Sequence, residues 1–455
     1  MTKPNNQKVG NKGLSAQCDP HGLEYLEEMS MTSMTLKLPR RRLFQAVLAV
    51  VISSGALIAC GGGSDSAPPA QTAAFYSTWA GSPQNYNEPF AGGAPVAKSF
   101  NNQTVRQIMY VSAGGDQVRV RLSNAIGNQP LTINSTRIAE SVGGAAINAA
   151  TDTPVTFDSA TSVTLAAGAE VLSDPAPLAV RPNSSLAVSF YVQNPTPVVT
   201  VHSLGRQNNY AASGNVVSAQ VLPTTETNQF FAWTTGLDVR RTDKPKVIVT
   251  FGDSITDGYG STVDANNRYP NFLSRRLAGD PSIGPVSVVN AGISGNRWKN
   301  DVIGPKGEGR FERDVLGQAG ITHTLILLGI NDIGFSGAFA SGQEVSAAEI
   351  TAAIQSAVDK AKARGVKALV ATITPFKGTI FPGYYSDAGE AKRVAVNTFI
   401  RNNRSIDGVV DFEAALKNPA DPGAIAPQFD LGDHLHPNDA GYAAMANAFN
   451  GALLN

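Results

Sequence analysis

Val247-Ile248-Val249-Thr250-Phe251-Gly252-Asp253-Ser254 is an apolar run rich in β-branched residues that ends in a glycine, a carboxylate and a hydroxyl. It lacks the alternation of a half-solvated strand, so it reads as a strand buried on both faces inside a parallel sheet. Val286 to Val289, Leu325 to Leu328 and Ala368 to Ile373 repeat the theme. Between the last two, Ile350, Ile354 and Val358 recur every four residues beside Ala353, Ala357 and Ala361, which predicts a helix. Ser346 and Glu349 have capping-box spacing at its start, and Gly365 can end it. Strands alternating with helices predict a doubly wound α/β domain over residues 244–455. In such a sheet ligands bind outside the carboxyl ends of the strands.

Upstream of Thr242-Asp243-Lys244-Pro245 the pattern changes. Val118/Val120/Leu122 and Leu186/Val188/Phe190/Val192 place apolar residues at every second position, on one face of a strand. Leu131 to Ile133, Ser162 to Leu165 and Val198 to His202 are further strand candidates. Many short strands separated by turn residues predict an antiparallel β-sandwich, jelly-roll-like, over residues 75–241. No catalytic constellation stands out within it.

Composition narrows the function. Among 455 residues, 36 Lys and Arg balance 36 Asp and Glu. Such a chain lacks the clustered positive charge that phosphate backbones require, so nucleic acid is not expected as a partner. Lys37 and Arg40 to Arg42 precede an apolar run, Leu43 to Ala59, that is shorter than a spanning helix and reads as a signal segment. Leu57-Ile58-Ala59-Cys60 resembles the bacterial lipobox, in which the Cys is acylated and the chain is cut before it. Residues 34–59 are then a lipoprotein signal peptide starting at Met34, and residues 1–33 a non-native or disordered extension. Residues 60–74 are a flexible tether rich in Gly, Ser, Pro and Ala, behind a lipidated Cys60. The expected location is the bacterial cell envelope, anchored to the membrane by lipid. Only two cysteines occur and Cys18 lies upstream of the cut, so the mature chain has no disulfide.

Four blocks converge on one chemistry. The first strand runs into Gly252-Asp253-Ser254-Ile255, where Ser254 is either an exposed nucleophile or a helix N-cap. Asn290-Ala291-Gly292-Ile293-Ser294-Gly295-Asn296-Arg297 follows the second strand, and its glycines allow close backbone approach. Gly329-Ile330-Asn331-Asp332 follows the third and brings an Asn amide to the same end of the sheet. Gly432-Asp433-His434-Leu435-His436-Pro437 offers a carboxylate and a base on one loop, and a serine nucleophile needs such a base held in one tautomer by a carboxylate. His202 and His323 read as structural.

Together the four blocks resemble the GDSL, or SGNH, hydrolase family. The resemblance implies Ser254 as nucleophile, His436 as general base and Asp433 as the carboxylate that orients it. It also implies an oxyanion hole built from the Ser254 N–H, the Gly295 N–H and the Asn331 amide, with Gly292 the less natural match, and it implies neither metal nor cofactor. His434 would be a bystander or a residue that supports the site from behind. No Gly-x-Ser-x-Gly elbow is present, which disfavours an α/β-hydrolase. The segment Arg310 to Asp314 is similar to part of a subgroup of secreted esterases, with Arg310 and Asp314 as a structural ion pair.

The activity implied is ester hydrolysis through an acyl-Ser254 intermediate. A β-sandwich before such a domain is similar to bacterial carbohydrate esterases that deacetylate polysaccharides. A short-chain lipase or arylesterase, an O-acyltransferase and an inactive glycan-binding surface protein are the alternatives. Trp298 is open to two readings, a sugar platform or core. Phe376, Tyr384 and Tyr385 either wall the pocket or pack at the surface.

Overall fold

The computed structural model describes residues 72–88, 96–301 and 303–455. The signal segment, Cys60 and the tether up to residue 71 lie outside the described residues. The described residues belong to one compact unit.

Its carboxyl-terminal part is built on five parallel strands in the spatial order Val286–Gly292, Lys246–Gly252, Ile321–Leu327, Lys367–Ala371, Gly408–Val410. Numbered along the chain this is the 2-1-3-4-5 order of doubly wound folds, whose crevice opens where the order reverses around the first strand. The runs read from sequence are these strands, and their side chains are buried on both faces. One core holds Val247, Val249 and Phe251 with the helix Ala347–Ala363. The other holds Ile248, Leu325 and Leu369 with the helices Tyr269–Ala278 and Asp439–Ala448. Ser346 and Glu349 do form the capping box, and Gly365, at φ 71°, stands just beyond the last helical residue.

The preceding part consists mostly of antiparallel sheets. A four-stranded one contains Ala74–Ala80, Thr234–Arg241, Val118–Ser123 and Glu170–Leu172, and a larger one is centred on Gln103–Val111, Ser184–Val192 and Ser135–Gly143. Val118, Val120, Leu122 and Leu237 of the first share one core with Val105, Met109, Leu186 and Phe190 of the second. The strand orders and shared core show antiparallel sheets packed on one another and leave the jelly-roll connectivity expected from sequence without support.

The two parts are closely joined. The strand Ala74–Ala80 sends Tyr76 and Ala80 into the α/β core. Ser77, Ser112 and Ser287, all buried, form a chain in which the Ser287 hydroxyl donates to the Ser77 carbonyl at 2.6 Å and lies 2.9 Å from the Ser112 hydroxyl.

Candidate active site

The turn after the first strand is fixed by what its residues exclude. A Cβ on Gly252 would stand 2.2 Å from Thr256 Oγ1 and 2.3 Å from the Leu327 carbonyl oxygen, so only glycine fits between them. Asp253 is the N-cap of the short helix Ser254–Asp257, its Oδ1 accepting from the Ile255 N–H at 3.1 Å. Ser254 is therefore the first helical residue and not the cap, which excludes the cap reading of its sequence block, and it is buried and not exposed. Gly258, at φ 98°, ends the helix after one turn.

Ser254 Oγ lies 2.8 Å from His436 Nε2, and His436 Nδ1 lies 2.6 Å from Asp433 Oδ2. The other carboxylate oxygen of Asp433 accepts the N–H groups of Leu435 and His436 at 3.0 and 2.8 Å. Burial acts to raise the Asp433 carboxyl, but the hydrogen bonds and charge of His436 and these two N–H groups hold it below its ordinary value. The three residues come from the two ends of the domain and are each at most 7% exposed. The Tyr259 ring lies against the His436 imidazole, with centroids 4.4 Å apart.

The second block makes a tight turn in which Gly295 takes φ 78°. Among the described residues neither the Ser254 N–H nor the Gly295 N–H donates to a protein acceptor. The Gly292 N–H, by contrast, donates to Asn290 Oδ1 at 2.8 Å. A Cβ on Gly292 would stand 2.3 Å from the Asp257 nitrogen, so its role is to admit the helix Ser254–Asp257. Asn331, buried at the start of the helix Ile330–Ala338, donates one Nδ2 hydrogen to the Asn296 carbonyl at 3.0 Å and keeps the other. Ser254, Gly295 and Asn331 follow the first three strands at their carboxyl ends, and the loop of Asp433 and His436 meets them at Ser254.

A comparison with protein families matches residues 250–444 to the GDSL-like lipase/acylhydrolase family. This stretch is a GDSL-like hydrolase domain. Two solved structures give the scale of the likeness. A GDSL-like lipase from Bacteroides thetaiotaomicron is 20% identical, with 46% of this chain and 91% of that one covered and a TM-score of 0.35. A catalytic variant of an acetylxylan esterase from Geobacillus stearothermophilus is 23% identical, with 45% and 92% covered and the same TM-score. No curated protein matches the chain.

The remaining readings sort as follows. Trp298 is fully buried and its indole N–H donates to the Leu328 carbonyl at 2.9 Å, so it is core and not a sugar platform. His434 is half exposed and pairs with Asp430. His323 is buried in the third strand, and burial takes its imidazole down to about 4. His202 pairs with Asp257 at 3.0 Å, across the contact between the two parts. Arg310 and Asp314 form the expected buried ion pair at 3.1 Å. Arg310 also donates to the Gly252 and Ala291 carbonyls and to Asn296 Oδ1, so one guanidinium braces the ends of the first two strands and the turn beside Gly295. Burial lowers it to about 10, with Asp314 opposing.

Three residues carry more than their sequence revealed. Asp332 accepts the N–H groups of Trp298 and Lys299 at 2.8 and 3.1 Å, tying the second block to the third. Asn296 accepts from both Arg310 and Asn331. Tyr384 is buried, and its hydroxyl donates to Asn331 Oδ1 at 2.7 Å. Asn296 and Asp332 stand in the second and third sequence blocks and Tyr384 in the loop read as a pocket wall, but none of these contacts had a local signal.

Proposed function

We propose that the chain is a serine ester hydrolase acting through an acyl-Ser254 intermediate, with the acetyl esters of a polysaccharide as substrate. The observation that carries the chemistry is the hydrogen-bonded chain from Ser254 Oγ through His436 to Asp433. His436 Nε2 takes the serine proton as Oγ attacks the ester carbonyl, and Asp433 holds the imidazole in the tautomer that leaves Nε2 free. The carbonyl oxygen becomes an oxyanion that the Ser254 and Gly295 N–H groups and the second Asn331 Nδ2 hydrogen receive. One such donor contributes about 2.7–4 kcal/mol to transition-state stability. The protonated imidazole then gives its proton to the leaving alcohol. Water attacks the acyl-enzyme with the same base, releasing the acid and restoring Ser254.

The polysaccharide reading is supported by the antiparallel part joined to the GDSL domain, and a small acyl group is supported by the depth of the site, where Ser254 and His436 are 7% and 5% exposed. A second reading, an aryl or short-chain lipid ester, is favoured by two exposed apolar side chains beside the base loop. The Ile380 N–H donates to the Asp433 carbonyl, and the Leu431 N–H donates to the His436 carbonyl, while their side chains are 60% and 37% exposed.

Hydrolysis of acetylated xylan and of p-nitrophenyl esters of increasing chain length tests both. Acetate release from xylan, with activity collapsing beyond short acyl chains, supports the first reading. Robust turnover of aryl or longer esters with indifference to xylan replaces it by the second. In either case Ser254→Ala is expected to lower kcat by about 10⁴-fold or more, and a variant that keeps its activity would sink the acyl-serine mechanism.

A further inference from the structure

Asn331 can serve an oxyanion only if its amide nitrogen, and not its oxygen, faces the nucleophile. An asparagine side chain has a donor end and an acceptor end of nearly the same shape, so its orientation is set by its partners. On one side the Asn296 carbonyl accepts an Nδ2 hydrogen at 3.0 Å. On the other, the Tyr384 hydroxyl, carried by the loop after the fourth strand, lies 2.7 Å from Asn331 Oδ1. Burial holds the Tyr384 phenol well above its ordinary value, with the carboxyls of Asp253 and Asp332 adding to the effect, so the hydroxyl keeps its proton and donates.

The aromatic body of Tyr384 is itself fixed. Phe335, Phe339, Phe376 and Phe381 surround its ring at centroid distances of 6.0 to 6.3 Å. A Cβ on Gly334, one turn after Asn331, would stand 2.4 Å from that ring, so the helix carrying Asn331 is shaped to take it. The hydroxyl therefore reaches Asn331 from a rigid base.

We propose that Tyr384 is a positioning residue for the oxyanion hole. It pins Asn331 Oδ1 so that the remaining Nδ2 hydrogen points at the ester oxygen as charge develops on it. The proposal rests on the ester-hydrolase reading above and adds to it a residue that touches no reacting atom. Removing the hydroxyl frees the amide to turn, and it leaves the substrate's binding surface in place. The effect falls on the chemical step.

The test is a double-mutant cycle on Tyr384→Phe and Asn331→Ala, assayed with a p-nitrophenyl acetate substrate and with thermal unfolding recorded for each variant. Tyr384→Phe is expected to lower kcat by about tenfold, the scale of one hydrogen bond, with KM changed less than about twofold. In the Asn331→Ala background the same substitution is expected to cost nothing further, because its target is gone. A loss that repeats at full size in that background would mean that Tyr384 acts independently of Asn331, and a rise in KM with kcat intact would make it a substrate wall. Either result overturns the proposal, as does a kcat unchanged by Tyr384→Phe. If Tyr384→Phe melts far below the wild type, Tyr384→His, which restores a donor, is read instead, and its failure to recover kcat over Tyr384→Ala has the same force. A wild-type chain inert to every ester overturns the hydrolase reading and this inference together; wild-type activity that depends on Ser254 but not on Tyr384 overturns this inference alone.

Discussion

At the scale of single residues, the site concentrates carboxyls whose surroundings push them in opposite directions. Asp433, held by His436 and two N–H groups, lies below its ordinary value, while burial takes Asp253 up to about 7 and Asp332 up to about 6. Asp253 is 1% exposed, and its work as a helix cap needs only an acceptor oxygen, not a charge. Between its ordinary 3.8 and about 7 the folded chain holds a proton that the unfolded chain has lost. Folding is then favoured less as pH rises through that window, and the loss levels off above it. Asp253→Asn keeps the acceptor for the Ile255 N–H and cannot ionise. Its stability relative to wild type should therefore grow from about zero near pH 4 to its full value near pH 8, by about 1.4 kcal/mol for each tenfold difference in proton affinity between the folded and unfolded chains. Asp332 titrates in both proteins and its charge adds to the rise of Asp253, so the difference reports Asp253 together with that coupling. Thermal unfolding of the pair across that range is the measurement, and a difference that stays flat with pH would show that burial does not hold the Asp253 proton.

At the scale of elements, the one-turn helix Ser254–Asp257 matters most, because it sits on the second strand with no room to spare. Gly292 is the point of contact, and a methyl there would meet the Asp257 backbone at 2.3 and 2.7 Å. Neither partner can yield as a flexible side chain would. Gly292→Ala should move the helix, lengthen the Ser254–His436 hydrogen bond and lower both stability, by about 1–3 kcal/mol, and kcat. Activity at the wild-type level in this variant, measured beside a denaturant titration, would refute the close-packing argument. The same helix shows what could be read from sequence. The strand before it was legible because burial on both faces leaves a continuous apolar run, and the four blocks were legible because each follows a strand or lies on a loop with its own turn residues. The fifth strand, Gly408–Val410, was missed because three residues are too few to show a pattern. The helix Asp387–Asn402 was missed because its buried face includes Gly389, Arg393 and Asn397 and so lacks an apolar period. The bond from Tyr384 to Asn331 spans 53 positions and depends on where a loop is placed in space, which no local pattern encodes.

At the scale of the whole molecule, the sequence break near Thr242 separates two patterns of strands but not two independent bodies. Tyr76, on the first strand of the antiparallel part, fills a space that Gly320 leaves open, where a Cβ would stand 2.3 Å from its ring. His202 reaches across to Asp257, whose second oxygen accepts the Ser294 N–H at 2.9 Å beside Gly295. A contact from the antiparallel part thus ends one residue from Gly295, the proposed oxyanion donor. Both His202 ring nitrogens face acceptors, the Ser82 carbonyl at 3.3 Å and the Asp257 carboxylate. Without the antiparallel part, Asp257 would keep the Ser294 N–H but lose His202, and the Ser287 hydroxyl would lose both Ser77 and Ser112. The apolar seat of Tyr76 and Ala80 would be opened to water as well. Residues 72–455 should therefore unfold in a single cooperative transition, and residues 244–455 alone should melt at markedly lower temperature and hydrolyse esters more slowly, with the loss in kcat and not only in KM. Calorimetry and steady-state kinetics on the two chains decide this. A fragment that melts with the same midpoint and turns over at the same kcat would mean that the antiparallel part is an appendage, and that the link through His202 and Asp257 does not support the oxyanion turn.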